Sequence, residues 1–362
     1  MFAQKYPDRQ MLFRDIPGQE EIKRKLAQTI ADQRVSHAQL FYGPEGSGNL
    51  ELAIAYAQLL NCREQGAGGR EQGAEACGVC PSCQQYQKLA HPDLHFVFPN
   101  NTTKRVTKNP SSKMFVIEWR KFLLEHDYTV TLNEWFEELG IENKQGVINA
   151  RDAEEIIHTL SYKSYESEYK VMIIWMVEKL YHSAAPKLLK ILEEPPEKTL
   201  FILVSEDPAQ VLPTIFSRCL PVRIPARELQ LSGVSEERQY NYETFRRWMQ
   251  SCYSGKLADL ITFASEVAKT GRERQKSLLQ YGLQTARQCA SYKYTGTLPG
   301  LTGPEQEFIK KFSPFFPAEN LGQFHELFHP AVYHLERNAH AATLFLDLSL
   351  NMVRYFQPFR QR

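Results

Sequence analysis

Residues 37–62 read HAQLFYGPEGSGNLELAIAYAQLLNC. A short apolar run leads into a turn carrying Gly43, Gly46 and Gly48, and Leu50, Ile54, Leu59 and Leu60 then recur at helical spacing. Strand, glycine-rich turn and helix, in that order, is the setting in which backbone N–H groups cradle a phosphate. Two residues break the pattern: Asn49 stands where a phosphate-binding lysine belongs, and Leu50 where a hydroxyl would meet magnesium. The stretch predicts a nucleotide-type α/β fold whose loop has lost its charge. Gly43, Gly46, Gly48 and Asn49 are candidate anion contacts of a degenerate loop, with a purely structural turn as the alternative.

Outward from the loop, GQEEIKRKLAQTIADQR places Ile22, Leu26 and Ile30 at four-residue spacing and predicts an amphipathic helix. YKVMIIWMV and KTLFILVSE are continuous apolar runs, as expected for strands covered on both faces of a parallel sheet. Between them SAAPKLLKILEEPP reads as a helix, with Ser183 as its cap, Pro186 in its first turn, and Pro195 and Pro196 ending it. This alternation predicts a doubly wound α/β domain. Residues 100–145 interrupt it as an insertion, a polar loop followed by helical pieces. Its Lys104, Arg105, Lys108 and Lys113 either touch phosphate or are simply solvated. After RCLPVRIPARELQLSG the strands stop and periodic helices run to residue 362, so the C-terminal part is all-α.

The composition narrows the class. The chain has 362 residues, 43% of them hydrophobic, enough for two or three domains with cores. Its 43 basic and 42 acidic residues leave a net charge of +1, which argues against a protein whose main task is gripping nucleic acid. No apolar run is long enough for a membrane span and the N-terminus lacks a signal-type apolar core, so the expectation is a cytoplasmic protein.

Of seven cysteines, Cys62, Cys77, Cys80 and Cys83 form C-x14-C-x2-C-x2-C, while Cys219, Cys252 and Cys289 are scattered. Four thiolates can surround zinc tetrahedrally in a closed, structural site. Free or buried thiols are the alternative. The long first gap is a near-duplication, REQGAGG at 63–69 and REQGAEA at 70–76, expected to be a flexible loop. His91 and His95 follow and could ligate a metal, although four thiolates already fill the shell.

Together, GQEEIKRKLAQTI, SHAQLFYGPEGSG, the four-cysteine insertion after the phosphate-loop helix, APKLLKILEEPPEKTLFILVSE and LPTIFSRC resemble the delta-prime family of bacterial DNA polymerase III clamp-loader subunits. The resemblance is close over about residues 10–225 and loose beyond. HPDLHFVFP and WFEELGIENKQG are similar to the Bacteroidetes-type version of that family.

The resemblance implies an AAA+ architecture: a P-loop-like α/β domain over 1–225 with its zinc module at 62–83, a small helical lid over 226–270, and a helical collar over 271–362. The collar would join an open ring of subunits. The implied partners are the ATPase tau/gamma subunit, the delta subunit, and, through the complex, the sliding clamp and primed DNA.

Against the family pattern, Trp175 and Met176 stand where the strand should end in two acids, and Glu178 comes too late to replace them. With lysine, hydroxyl and acid all missing, hydrolysis is not expected, and binding of ATP or ADP should be weak or absent. Ser205 matches a phosphate-sensing position and reads as a remnant; Lys256 lies near another and reads as a solvated helix start. Tyr281 and the aromatic C-terminal helices read as core or interface.

Ser217, Arg218 and Cys219 match the motif whose arginine reaches a neighbouring subunit's ATP. An arginine finger can supply roughly 10³ to 10⁵ in rate, and its planar, permanently charged fork suits two phosphate oxygens. A surface arginine paired with a carboxylate is the alternative.

The leading expectation is a non-hydrolysing clamp-loader subunit supplying Arg218 in trans. The alternatives are an autonomous AAA+ ATPase with a divergent site and a zinc-stabilised nucleic-acid-binding module.

Overall fold

The structure, a computed structural model, describes residues 11–64, 75–142, 144–226, 236–298, 301, 303–315, 321–337 and 339–360. The chain divides into two compact units, Met1–Arg227 and Glu228–Arg362. The seven-residue duplication lies largely outside the described residues.

In the first unit, α1 (Glu20–Ala31) precedes β1 (Ala38–Tyr42) and α2 (Asn49–Leu60). Then come α3 (Pro81–Gln87), β2 (Leu94–Val97), α4 (Val116–Glu125), α5 (Leu132–Leu139) and α6 (Ala150–Leu160). They are followed by β3 (Lys170–Trp175), α7 (Ala185–Glu193), β4 (Thr199–Ser205), α8 (Pro213–Phe216) and β5 (Leu220–Arg223). The five strands pair in the order β2-β3-β4-β1-β5, and every pairing is parallel. All residues of β3 and β4 are buried, as their unbroken apolar runs require when helices cover both faces. β5 is an exposed edge strand containing Pro221, so neither burial nor alternation announces it in the sequence.

The strand register sets up the site. Tyr42 pairs with Ser205 and Val204 with Trp175, so β1, β4 and β3 end at one edge. The glycine loop leaves β1 at this edge, where open α/β sheets place their ligands.

Helix α7 forms as the sequence predicts, with proline in its first turn. Ser183, however, is not its cap. The N-cap is Ala184, with no side-chain bond, because the preceding residues form a turn in which Ala184 N–H donates to Tyr181 O at 2.9 Å.

The insertion is part of the first unit's core. Trp119 and Phe122 of α4 and Trp135 and Phe136 of α5 are buried in the same apolar cluster as α2 and β3. Its ends are tied down by Asp152, which accepts from Ser112 N at 2.7 Å, Ser112 Oγ at 2.9 Å, Asn100 Nδ2 at 3.1 Å and Asn149 N at 2.9 Å. Burial pushes the Asp152 carboxyl up, and these donors oppose the shift.

The second unit is helical: α9 (Glu236–Ser254), α10 (Leu257–Ala268), α11 (Arg272–Thr295), α12 (Gly303–Phe312), α13 (Leu321–Glu336) and α14 (Ala341–Arg360). The segments expected as lid and collar contribute to one apolar cluster, with Trp248 and Phe263 beside Phe312, Phe328 and Phe345. Trp248 Nε1 donates to Ser349 Oγ at 2.8 Å, and Arg238 Nε to the buried Glu305 at 3.0 Å. Tyr281 packs edge-on to Phe245, and burial pushes its phenol up. No helix among the described residues is long and apolar enough to cross a membrane. The fold class is the expected one, a P-loop-like α/β domain followed by an all-α part.

Candidate functional site

At the edge where β1 ends, Gly46 and Gly48 take φ of 76° and 86°, the left-handed region that glycine enters at little cost. A Cβ on Gly43 would lie 2.0 Å from the carbonyl oxygen of Ile224, so only glycine lets the chain pass β5. The turn-forming role of the glycines is thus intact. The interior of the loop is occupied by its own side chains. Asn49 is buried; its Nδ2 donates to Gly43 O at 2.9 Å and Ser205 O at 3.1 Å, and its Oδ1 accepts from Ser47 Oγ at 2.6 Å. Where a lysine would reach outward to phosphate, a short amide turns inward and joins the ends of β1 and β4.

The first turn of α2 carries an acidic side chain. Glu51 is buried there and accepts from Thr129 Oγ1 of the insertion at 2.6 Å. An acidic side chain in that turn complements the helix dipole. Leu50, in the hydroxyl position, is in the core.

At the end of β3, Trp175 and Met176 are both buried. Trp175 lies 4.9 Å, ring to ring, from Trp119 of the insertion, which also packs on Phe98 and Trp135. An aromatic cluster therefore stands where metal-binding acids would be needed. Glu178 follows on a short 3-10 turn, and its Oε1 accepts from Glu206 N at 3.0 Å. Burial pushes its carboxyl up, toward the neutral form. Sequence spacing dismissed Glu178; the fold brings it beside the residue after Ser205.

Ser217, Arg218 and Cys219 follow α8. Ser217 Oγ donates to Thr214 O at 3.2 Å. Arg218 Nε donates to Glu193 Oε1 at 2.6 Å and Nη1 to Thr214 O at 2.9 Å, with the guanidinium still partly exposed. Cys219 is buried, which pushes its thiol up to about 12.

The four clustered cysteines are brought together. Their Sγ atoms lie within 4.8 Å of one another, with Cys77 and Cys83 at 3.9 Å. Backbone N–H groups of Cys77, Cys80 and Cys83 donate to the sulfurs of Cys62, Cys77 and Cys80 at 3.3, 3.3 and 3.5 Å. Cys80 also caps α3, whose first residue is Pro81. Tetrahedral zinc with bonds of about 2.3 Å needs sulfurs about 3.8 Å apart, so the donor set fits. Hydrogen bonding from Cys83 pulls the Cys62 thiol down, and the same bond pushes Cys83 up.

His91 and His95 stand outside this group. His91 accepts from Asp93 N at 3.1 Å, meets Ser167 Oγ at 2.9 Å and packs on Tyr86 at 4.7 Å; burial pulls His95 down to about 4. In the insertion loop Arg105 pairs with Glu118 and donates to Met114 O at 2.6 Å, whereas Lys104, Lys108 and Lys113 are exposed. Lys256 is the exposed N-cap of α10.

The chain is 29% identical over 218 residues to DNA polymerase III subunit delta' of Bacillus subtilis, covering 60% of this chain and 50% of that protein. It is 25% identical over 271 residues to DNA polymerase III subunit tau of Escherichia coli, covering 73% of this chain and 34% of that one. The chain thus spans half or less of the length of these relatives. Among solved structures it is similar to a DNA polymerase III gamma subunit-related protein of Thermotoga maritima, at 13% identity and a TM-score of 0.35, covering 92% of this chain and 99% of that one. The family described as "DNA polymerase III, delta subunit" matches residues 18–228, more than half of the sequence. The chain belongs to the DNA polymerase III delta-subunit family.

Proposed function

We propose that this chain is a non-hydrolysing clamp-loader subunit of the delta-prime type, acting in the cytoplasm. It completes an AAA+ ring with the tau/gamma ATPase and delta subunits and takes part in placing a sliding clamp on primed DNA. The carrying observation is the inward-bonded Asn49: its amide satisfies Gly43 O and Ser205 O, so the loop is closed without a nucleotide. Glu51 in the first turn of α2 and Trp175 against Trp119 support the same reading from two other directions.

The chemistry lies at Arg218, which stands on an exposed turn and would stabilise charge on the phosphoryl group of ATP held by the neighbouring subunit. Ser217 and Cys219 frame it, one bonded to the turn and the other buried. Cys62, Cys77, Cys80 and Cys83 would hold zinc as a closed structural site that fixes α3 on the end of α2. We assign residues 226–270 to a lid and 271–362 to a collar.

The test is reconstitution with the tau/gamma-type ATPase. The chain alone should show no ATP turnover, and Arg218→Ala should abolish most of the turnover of the assembled complex. Magnesium-dependent turnover by the isolated chain would favour an autonomous ATPase, and tight, salt-sensitive DNA binding by it would favour a nucleic-acid module.

A further inference from the structure

The contact that most constrains Arg218 comes from outside its own motif. Nε and Nη2 both meet Glu193 Oε1, the former at 2.6 Å, and Nη1 donates to Thr214 O at 2.9 Å. A guanidinium has five N–H donors in a fixed plane. The carboxylate takes the Nε edge, the carbonyl takes one N–H of Nη1, and among the described residues one N–H on each terminal nitrogen is left.

Two features argue that the pair does little for the fold. The side chains are 34% and 49% exposed, and exposed ion pairs add little stability. Glu193 is the last residue of α7, where the helix dipole disfavours a carboxylate. The pair does, however, hold a long, flexible side chain against two elements, with the guanidinium still partly exposed.

We propose that Glu193 is a positioning residue for Arg218. It grips the Nε edge so that the two remaining N–H groups are presented to phosphate oxygens of a nucleotide bound by the adjoining subunit. This rests on the reading of Arg218 as a finger in trans. Holding a catalytic group in its reactive geometry raises turnover without changing how tightly the nucleotide binds.

The experiment compares wild type, Glu193→Gln, Glu193→Asp, Arg218→Ala and the Glu193→Gln/Arg218→Ala double variant, each full-length chain being reconstituted at saturating concentration with the tau/gamma-type ATPase. Glu193→Gln keeps the shape and removes a charge from an exposed helix end, so folding is preserved. It should lower kcat about fivefold to tenfold with KM for ATP and complex assembly unchanged, and Glu193→Asp should restore part of the loss. The double variant should be no slower than Arg218→Ala alone. Wild-type kcat in Glu193→Gln beside a collapsed Arg218→Ala would remove the role of Glu193 and leave the finger standing. Wild-type kcat in Arg218→Ala would remove both. A loss in Glu193→Gln that lies in assembly, or a double variant slower than Arg218→Ala, would show that Glu193 acts by another route and overturn the proposal.

Discussion

The side-chain amide of Asn49 donates to the backbone carbonyl of Ser205 at 3.1 Å, joining the first residue of α2 to the last residue of β4. The same amide reaches Gly43 O, so a single buried group closes the loop that a bound phosphate would otherwise order. Asn49→Ala leaves two carbonyls without this donor and should cost about 1–3 kcal/mol in urea unfolding. Asn49→Lys should gain no ATP turnover, because the acid at the end of β3 is still missing.

Restoring that acid should fail for a different reason. Trp175 is buried against Trp119, so Trp175→Asp both opens a cavity and buries an unpaired charge. The expected loss is at least about 3 kcal/mol, read by denaturant unfolding, without magnesium-dependent hydrolysis.

The thiolate cluster should carry one zinc per chain by elemental analysis of protein purified without chelator. Cys83→Ser should lose the metal and lower the Tm, and a strong chelator should reproduce the shift in wild type. Cys289→Ser, at a buried cysteine that is not part of the cluster, should retain the metal.

Glu178 predicts a pH dependence. Burial raises its pKa above 4.5, so the folded chain binds this proton more tightly than the unfolded chain. Its contribution to stability is complete below about 4.5 and is lost as pH rises through the raised value. Glu178→Gln keeps an acceptor for the Glu206 N–H and removes the charge. It should be more stable than wild type at pH 8, with the difference vanishing near pH 4, as followed by Tm across that range.

In the helical unit, a Cβ on Gly282 would lie 2.8 Å from the Phe245 ring and 3.0 Å from the Phe328 ring. Both rings are buried, so they can yield only by moving the core. Gly282→Ala should destabilise by about 1–3 kcal/mol in a thermal or denaturant melt.

Much of this was legible because it is local. Apolar runs announced β3 and β4, glycine spacing announced the strand–turn–helix around Gly43, and the close spacing of Cys77, Cys80 and Cys83 announced a thiolate cluster. Edge strand β5 was not legible, since one exposed edge leaves it no burial pattern, and Ser183 misled because a preceding turn, not a side chain, starts α7.

By itself the sequence determined that lysine, hydroxyl and strand-end acid are all absent, since these are properties of residue identity at fixed positions along the chain. What replaced them only tertiary structure decided. Asn49 meets Ser205, Trp119 meets Trp175, Thr129 meets Glu51 and Glu193 meets Arg218 across long stretches of chain, and it is the parallel register, ending β1 and β4 at one edge, that brings the first pair together. A side chain's partner follows from where the backbone carries it, and the order of residues alone does not contain that distance.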